Sequence, residues 1–389
     1  MSSSNNNKTS VFSHPHIDRS KWKRVRLGDV LQVCHGKCQH SVESKTGKYP
    51  ILATSGEIGR TDQFLYNKPS VLIGRKGTID KPQYIDTPFW TIDTLFYTKV
   101  ADGYSPKFMF YLCQMIDWVA LNEASGVPSL SANRIESLEV CVPQDLGEQL
   151  RIVKSLDAVE SHINTLQALI SKYEAIKKAT VKLLLMPKVD WHSIKLKDFE
   201  SHKNNTCSRS LTTSSSGRIR NIHYGDILVK FNEIVSLKEH RIDCLTNEGE
   251  LRSPADYIQD GDIIIADTAE DEAAGKVVEM HDVEDIKAVA GLHTVFLRPP
   301  EMVFACGWLG YWMNSNYYHD QLLPYMTGIK VLSLSKSSLL ETKIFYPPRL
   351  EQERIVNVLE SISSHIATLK TQVAKLQDLK QGMMSYFFG

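Results

Sequence analysis

Arg75-Lys76-Gly77-Thr78 sets two cations beside a glycine, directly after the apolar run Ser70–Gly74. Gly77 permits close backbone approach, and the cations suit a phosphate or a guanine edge. An ordinary basic hairpin turn has the same composition. Ser125-Gly126-Val127-Pro128-Ser129 and Thr327-Gly328-Ile329-Lys330 combine glycine with small hydroxyl residues. Such segments suit a loop pressed against a nucleic-acid backbone, or a tight turn into a strand. Their candidate contacts are Ser125, Gly126 and Ser129, and Thr327, Gly328 and Lys330. Residues 203–220 carry Lys203, Arg209, Arg218 and Arg220 among Ser, Thr and Asn. They read as a phosphate-binding loop, with Arg218 and Arg220 as the contacts, or as a solvated loop. Residues 256–287 hold eleven acidic side chains against Lys276 and Lys287. That run reads as a solvated face, or as a surface for a basic partner.

Other chemistries lack their residues. Cys34-His35-x2-Cys38-x-His40 squeezes four ligand types into seven residues with no second cluster. A structural zinc site usually draws on two well-spaced pairs, so no metal site is expected here. There is no Gly-x4-Gly-Lys-Ser/Thr loop and no glycine-rich strand-to-helix turn for a nucleotide-like cofactor. Tyr346-Pro347-Pro348 has no Asn or Asp before its prolines. No catalytic residue is expected.

These segments sit in a duplicated chain. Glu148-Gln149-x-Arg151-Ile152-Val153 recurs as Glu351-Gln352-x-Arg354-Ile355-Val356 at an offset of 203, with 11 identities in the 19 positions 148–166. Average residue usage gives on the order of one. Upstream, Trp22-x3-Arg26-Leu27-x-Asp29 matches Trp191-x3-Lys195-Leu196-x-Asp198. Ser125-Gly126-Val127 with Leu130-Ser131 matches Thr327-Gly328-Ile329 with Leu334-Ser335.

After each Glu-Gln, Pro and Gly are absent through Leu185 in the first copy and through Gln381 in the second. Apolar residues step by four and three through Ile152, Leu156, Val159, Ile163, Leu166, Ile170 and Tyr173. They do so again through Ile355, Leu359, Ile362, Ile366, Leu369, Val373 and Leu376. That spacing is a heptad seam, and two seams in one chain most simply pack on each other. Pairing with another molecule is the alternative. At Lys177 and Lys380 the apolar pattern slips to Ile176 and Leu379, which suggests a changed packing environment. His162 and His365 lie beside the seam and read as packing residues.

The rest is strand-rich. Ser70–Gly74 and Asp262–Ala266 read as buried strands, Trp90–Phe96 as a half-buried strand, and Pro106–Val119 as a helix. The expected class is α+β, with two strand-rich domains separated by two long helices; either direction of pairing is possible in principle, and a two-fold-like arrangement of the repeats makes them an antiparallel coiled coil. The expected divisions are a disordered Ser/Asn-rich tail at 1–19, domains at 20–146 and 189–350, and helices at 147–188 and 351–389. Lys+Arg and Asp+Glu are both 45. A balanced charge argues against a small, uniformly basic DNA-binding module. No run of about 18 apolar residues is present, so no membrane span is expected. Seven scattered cysteines without a secretory leader suit reduced thiols in the cytoplasm.

The order of these pieces resembles the specificity subunits of type I restriction-modification systems. The resemblance covers about residues 20–389. It rests on Trp22 with Leu27-Gly28-Asp29, Gly74-Arg75-x-Gly77, and Gly126 with Leu130-Ser131. The second half adds His223-Tyr224-Gly225-Asp226, Gly261-Asp262, Ala290-Gly291-Leu292-His293, Gly328-Ile329-Lys330 and Pro347-Pro348-x2-Glu351-Gln352. The resemblance implies a non-catalytic chain that reads a bipartite target in double-stranded DNA, one domain per half-site. It implies two methyltransferase (modification) subunits and restriction/translocase subunits as partners. S-adenosylmethionine, ATP and Mg are then used by those partners, with no cofactor in this chain. A stand-alone DNA methyltransferase and a coiled-coil scaffold without DNA function are the alternatives. The first copy departs from the second by one extra residue, Gly147.

Overall fold

A computed structural model describes residues 19–213, 217–246, 251 and 256–389. The tail expected at 1–19 falls almost wholly on residues 1–18, outside the described residues. The chain forms two compact units. One ends at Ala168 and also takes in Lys370–Gly389; the other is Leu169–Leu369.

In the first unit, an antiparallel sheet orders Leu31–Cys34, Leu95–Val100, Ser70–Gly74 and Gln83–Ile85. Every residue of Ser70–Gly74 is buried, as expected for an unbroken apolar strand. A second sheet pairs Tyr49–Ala53 with Gly56–Thr61 and Trp90–Thr91. The single strand expected over Trp90–Phe96 is in fact two, Trp90–Thr91 and Leu95–Val100. The break has a partner: Arg75 takes the Thr94 carbonyl with its backbone N–H at 2.8 Å and the Asp93 carbonyl with its guanidinium at 3.1 Å. A helix at Pro106–Gln114 packs Phe108, Met109 and Tyr111 inward.

In the second unit, the central sheet orders Glu200–His202, Thr294–Arg298, Ile263–Ala266, Val277–His281 and Ile234–Ser236. A four-stranded sheet around Ile219–Ile222 and Lys287–Ala290 adjoins it in sequence. The acidic run at 256–287 is not one solvated face. Asp262 and Glu279 are buried. Asp262 accepts Nε and Nη2 of Arg298, both at 2.8 Å. Glu279 accepts the backbone N–H groups of Gly307 and Gly310 at 2.6 and 2.8 Å. Buried carboxylates persist only where such donors satisfy them.

The duplication repeats as bonding. Trp22–Arg26 pairs antiparallel with Glu139–Pro143, and His192–Lys195 pairs antiparallel with Lys343–Tyr346. After each first strand, Leu27 or Leu196 is fully buried. Two residues on, Asp29 accepts the Arg26 N–H at 3.0 Å and Asp198 accepts the Lys195 N–H at 3.3 Å. That is the physical content of the Leu-x-Asp repeat.

The Glu-Gln repeat is an anchor. Gln149 and Gln352 are fully buried. Gln149 accepts the Ser105 N–H at 2.8 Å and donates to the Pro143 carbonyl at 3.0 Å. Gln352 accepts the Ala305 N–H at 2.8 Å and donates to the Pro347 carbonyl at 2.9 Å. Each glutamine ties the start of a long helix to its own globular unit.

The long helices are Leu146–Leu184 and Arg349–Phe388. The first begins two residues before the expected anchor, because Asp145 accepts the N–H groups of Gly147 and Glu148, both at 3.1 Å. The second helix likewise begins two residues before Glu351, so Gly147 causes no offset between the two helix starts. Seam residues Ile152, Leu156, Ile163, Leu166, Ile355, Leu359, Ile366 and Leu369 are all buried; each contributes on the order of 1.5–3 kcal/mol. In the first unit, Glu160 of the first helix meets Lys380 of the second. In the second unit, the Tyr173 ring lies 4.5 Å from His365. Residue numbers thus rise on one helix as they fall on the other, so the pairing is antiparallel.

The seam does not slip to Ile176, which is exposed. It continues through the lysines. Lys177 pairs with Glu233 at 2.8 Å and lies over the Tyr311 ring. Lys380 pairs with Glu160 and lies over the Tyr111 ring. The tyrosine hydroxyls donate to Asp157 and Glu360 at 2.5 Å, two residues that are also 203 apart. Burial, then the adjacent carboxylate, raises both phenol pKa values far above the usual range. A long aliphatic stem with a paired ammonium can occupy a half-buried seam position that alternation of apolar residues would not predict.

Candidate nucleic-acid interface

In the first unit, two segments separate in sequence form one surface. The Gly77 N–H donates to the Pro128 carbonyl at 2.9 Å, and the Leu130 N–H to the Arg75 carbonyl at 2.9 Å. Lys76 and Ser129 form an isolated antiparallel bridge. Gly77 has φ +88, a left-handed conformation that a side chain resists. Asn122 shapes the second segment: its amide oxygen accepts the N–H groups of Ala124 and Ser129 at 3.0 and 2.9 Å, and its amide N–H donates to Ala124 at 2.8 Å. Ser125, Gly126 and Val127 are left exposed at the tip. Arg75 is half-buried, Lys76 exposed and Thr78 half-buried. This is a surface of hydrogen-bonded backbone, with the Arg75 guanidinium braced on Asp93 and Lys76 exposed.

The second unit repeats the scaffold and changes the chemistry. The Leu334 N–H donates to the Asp267 carbonyl at 2.8 Å, as Leu130 does to Arg75. Ala269 and Thr268 pair with Leu332 and Ser333. Thr327 and Ser333 exchange backbone hydrogen bonds of 3.0 and 2.8 Å around a tight loop. Gly328, at φ +130, closes that loop; a Cβ there would fall 1.9 Å from the Val331 carbonyl. Thr327, Gly328, Ile329 and Lys330 are exposed. Asp267 therefore stands where Arg75 stands, and Thr268 where Lys76 stands. Asp267 accepts the Thr268 hydroxyl at 2.7 Å and lies 3.7 Å from His293 Nδ1.

Asp267, Thr268 and Asn122 were not among the candidates. The signal was present: Asp262–Ala266 reads as the counterpart of Ser70–Gly74, so the residue after it is the counterpart of Arg75. Its acidic neighbours hid it in a run that reads as solvent-facing.

The loop at 203–220 is not a free basic segment. Arg209 and Lys230 converge on Asp226, Lys230 at 2.9 Å. Arg220 lies in the strand Ile219–Ile222 and donates to the Leu237 carbonyl. Arg218 is exposed, while residues 214–216 lie outside the described residues. Arg220 belongs to a different sheet from the 327–333 loop, and Arg218 directly precedes its strand. Near the weak zinc candidate, His35 packs edge-on against Phe96 at 5.0 Å.

Residues 19–175 match the family model of the type I restriction modification DNA specificity domain. The chain is 19% identical over 406 aligned residues to the type I restriction enzyme EcoDI specificity subunit of Escherichia coli, covering 94% of this chain and 88% of that one. Its fold matches the crystal structure of a type I restriction-modification S subunit from M. genitalium, with TM-score 0.64, 14% identity, and 95% and 96% of the two chains covered. It also matches a chain from a structural study of complex assembly and conformational transition in a type I restriction-modification system, with TM-score 0.52, 16% identity, and 94% and 97% covered. No helix among the described residues is long and apolar enough to cross a membrane. Residues 19–175 thus match the DNA specificity domain of type I restriction-modification systems, and nearly the whole chain is similar to a type I specificity subunit.

Proposed function

We propose that each unit reads one half of a bipartite double-stranded DNA target, and that the chain is a non-catalytic address for two methyltransferase subunits and for restriction/translocase subunits. The observation that carries this reading is the conserved hydrogen bond beneath unlike side chains. Leu130 to Arg75 and Leu334 to Asp267 hold the same loop pair, yet one presents a donor and the other an acceptor. In a major groove, Arg pairs with guanine O6 and N7, whereas a carboxylate accepts from cytosine N4. Two units built alike but edged differently suit two different half-sites. Lys76, Gly77, Thr78, Ser125, Gly126 and Ser129 then position the first half-site; Thr327, Gly328 and Lys330 position the second. Arg218 is assigned phosphate contact. S-adenosylmethionine, ATP and Mg chemistry falls to the partner subunits.

The test is a panel of duplexes with single base changes in each half, bound at fixed salt with the methyltransferase subunits present. Arg75→Ala should lose roughly 1–3 kcal/mol of discrimination, about 5–150-fold, at one base pair of one half-site. Asp267→Ala should relax only the other half. Lys330→Ala should weaken binding with little change in base preference and a shallower salt dependence. Equal relaxation of both halves by either of the first two variants, or wild-type selectivity in both, refutes the assignment.

A further inference from the structure

Glu279, His281 and Cys306 bring three ligand types together in the second unit. Glu279 and His281 face each other from the strand Val277–His281, two residues apart. Cys306 arrives from the turn before the helix Trp308–Met313. Their ligand atoms all lie within 4.8 Å of one another, the one such grouping among the described residues. His281 Nε2 is 3.0 Å from Glu279 Oε1 and 3.7 Å from Cys306 Sγ. In a tetrahedral site with metal bonds of 2.0–2.3 Å, neighbouring ligand atoms sit roughly 3.3–3.7 Å apart. The sulfur meets that spacing from Nε2 and lies 3.2 Å from Nδ1, and the carboxylate oxygen lies slightly inside it.

The carboxylate is prepared for such a role. Glu279 is almost fully buried, and the Gly307 and Gly310 N–H groups fix it. Held ligands of this kind lose little freedom on binding. Cys306 is exposed, and the group opens on a cavity of about 780 Å³ lined also by Asp282, His240 and Glu353. Three protein ligands with an open side are the arrangement of a zinc site that keeps one position for water or another small ligand.

We propose that Glu279, His281 and Cys306 form a binding site for a divalent transition-metal ion of the zinc class. The ion would tie the end of the strand Val277–His281 to the Ala305-Cys306 turn, which itself hangs on Gln352. The first unit has no counterpart: Ser105 bonds to Gln149 as Ala305 bonds to Gln352, so Pro106 stands in the place of Cys306. Cys306 lies 25 residues from His281, which is why spacing along the chain gives no zinc pattern.

The test titrates reduced full-length chain with Co²⁺ alone, followed by Zn²⁺. Saturable uptake of one cobalt with a thiolate-to-cobalt band in the near ultraviolet, displaced by zinc, is expected. Cys306→Ser should abolish that band, and His281→Ala should weaken cobalt binding by at least about 100-fold, since second-sphere partners alone account for about 10–100-fold. Cys38→Ser should leave both unchanged. Zinc should also slow alkylation of Cys306 by iodoacetamide at least tenfold in the unaltered chain, read by mass spectrometry, so the result does not depend on any variant folding. No saturable uptake, a band that survives Cys306→Ser, or alkylation indifferent to zinc overturns the proposal and leaves the three groups as a thiol–imidazole–carboxylate hydrogen-bond chain.

Discussion

Gln149→Leu is expected to destabilise the first unit by about 3–5 kcal/mol, and Gln352→Leu to do the same to the second. Leucine nearly conserves the volume, so the effect is not a cavity. It is the orphaning of buried backbone groups. The Ser105 N–H loses its acceptor and the Pro143 carbonyl its donor. In the second unit the Ala305 N–H, the Pro347 carbonyl and the Val303 carbonyl are left. Each unsatisfied buried group costs about 1–3 kcal/mol, and the added apolar contact offsets part of the sum. Denaturant unfolding followed by tryptophan fluorescence measures the change. Gln149→Glu keeps an acceptor for Ser105 but turns an oxygen toward the Pro143 carbonyl, so it should also destabilise. A loss below about 1 kcal/mol for both leucine variants would mean the helix starts are held by packing alone. The outcome bears on function, because these two side chains connect each reading surface to the helix that follows it.

Arg298→Met should destabilise the second unit by a similar amount, about 3–5 kcal/mol. Asp262 has no exposed surface, and Arg298 supplies two of its hydrogen bonds in a bidentate geometry. The Gln259 N–H supplies another at 2.6 Å. Removing the guanidinium leaves a carboxylate in the core with one donor. For a unit of this size the fall in Tm is on the order of 10 °C. The double variant Asp262→Leu with Arg298→Met should recover most of the loss, since replacing a buried pair by apolar groups is often close to neutral. If Arg298→Met alone melts like the unaltered chain, the pair is dispensable. Both halves of this comparison use calorimetry on the full chain and need no DNA.

The antiparallel direction of the helices came from the contacts; the sequence by itself determined the duplication, the heptad seam of each long helix and the buried central strands. Each of these is periodic or repeated: heptad steps, unbroken apolar runs and identities at an offset of 203 survive without knowledge of contacts. It also named both glycine loops, because Gly77 and Gly328 take positive φ that other residues resist. What only the tertiary structure decided is which groups share a surface. Gly77 meets Pro128, and Leu334 meets Asp267, across long stretches of chain; no local pattern encodes such a pairing. The acidic run read as one face because charge along a sequence carries no direction. Folding turned Asp262 and Glu279 inward to meet Arg298 and backbone N–H groups, and left Asp267 half-buried in the second unit where Arg75 stands in the first. Lys177 and Lys380 read as breaks in an apolar seam for the same reason. Their partners, Glu233 with Tyr311 and Glu160 with Tyr111, come from elsewhere in each unit, and only those partners make an inward lysine stable.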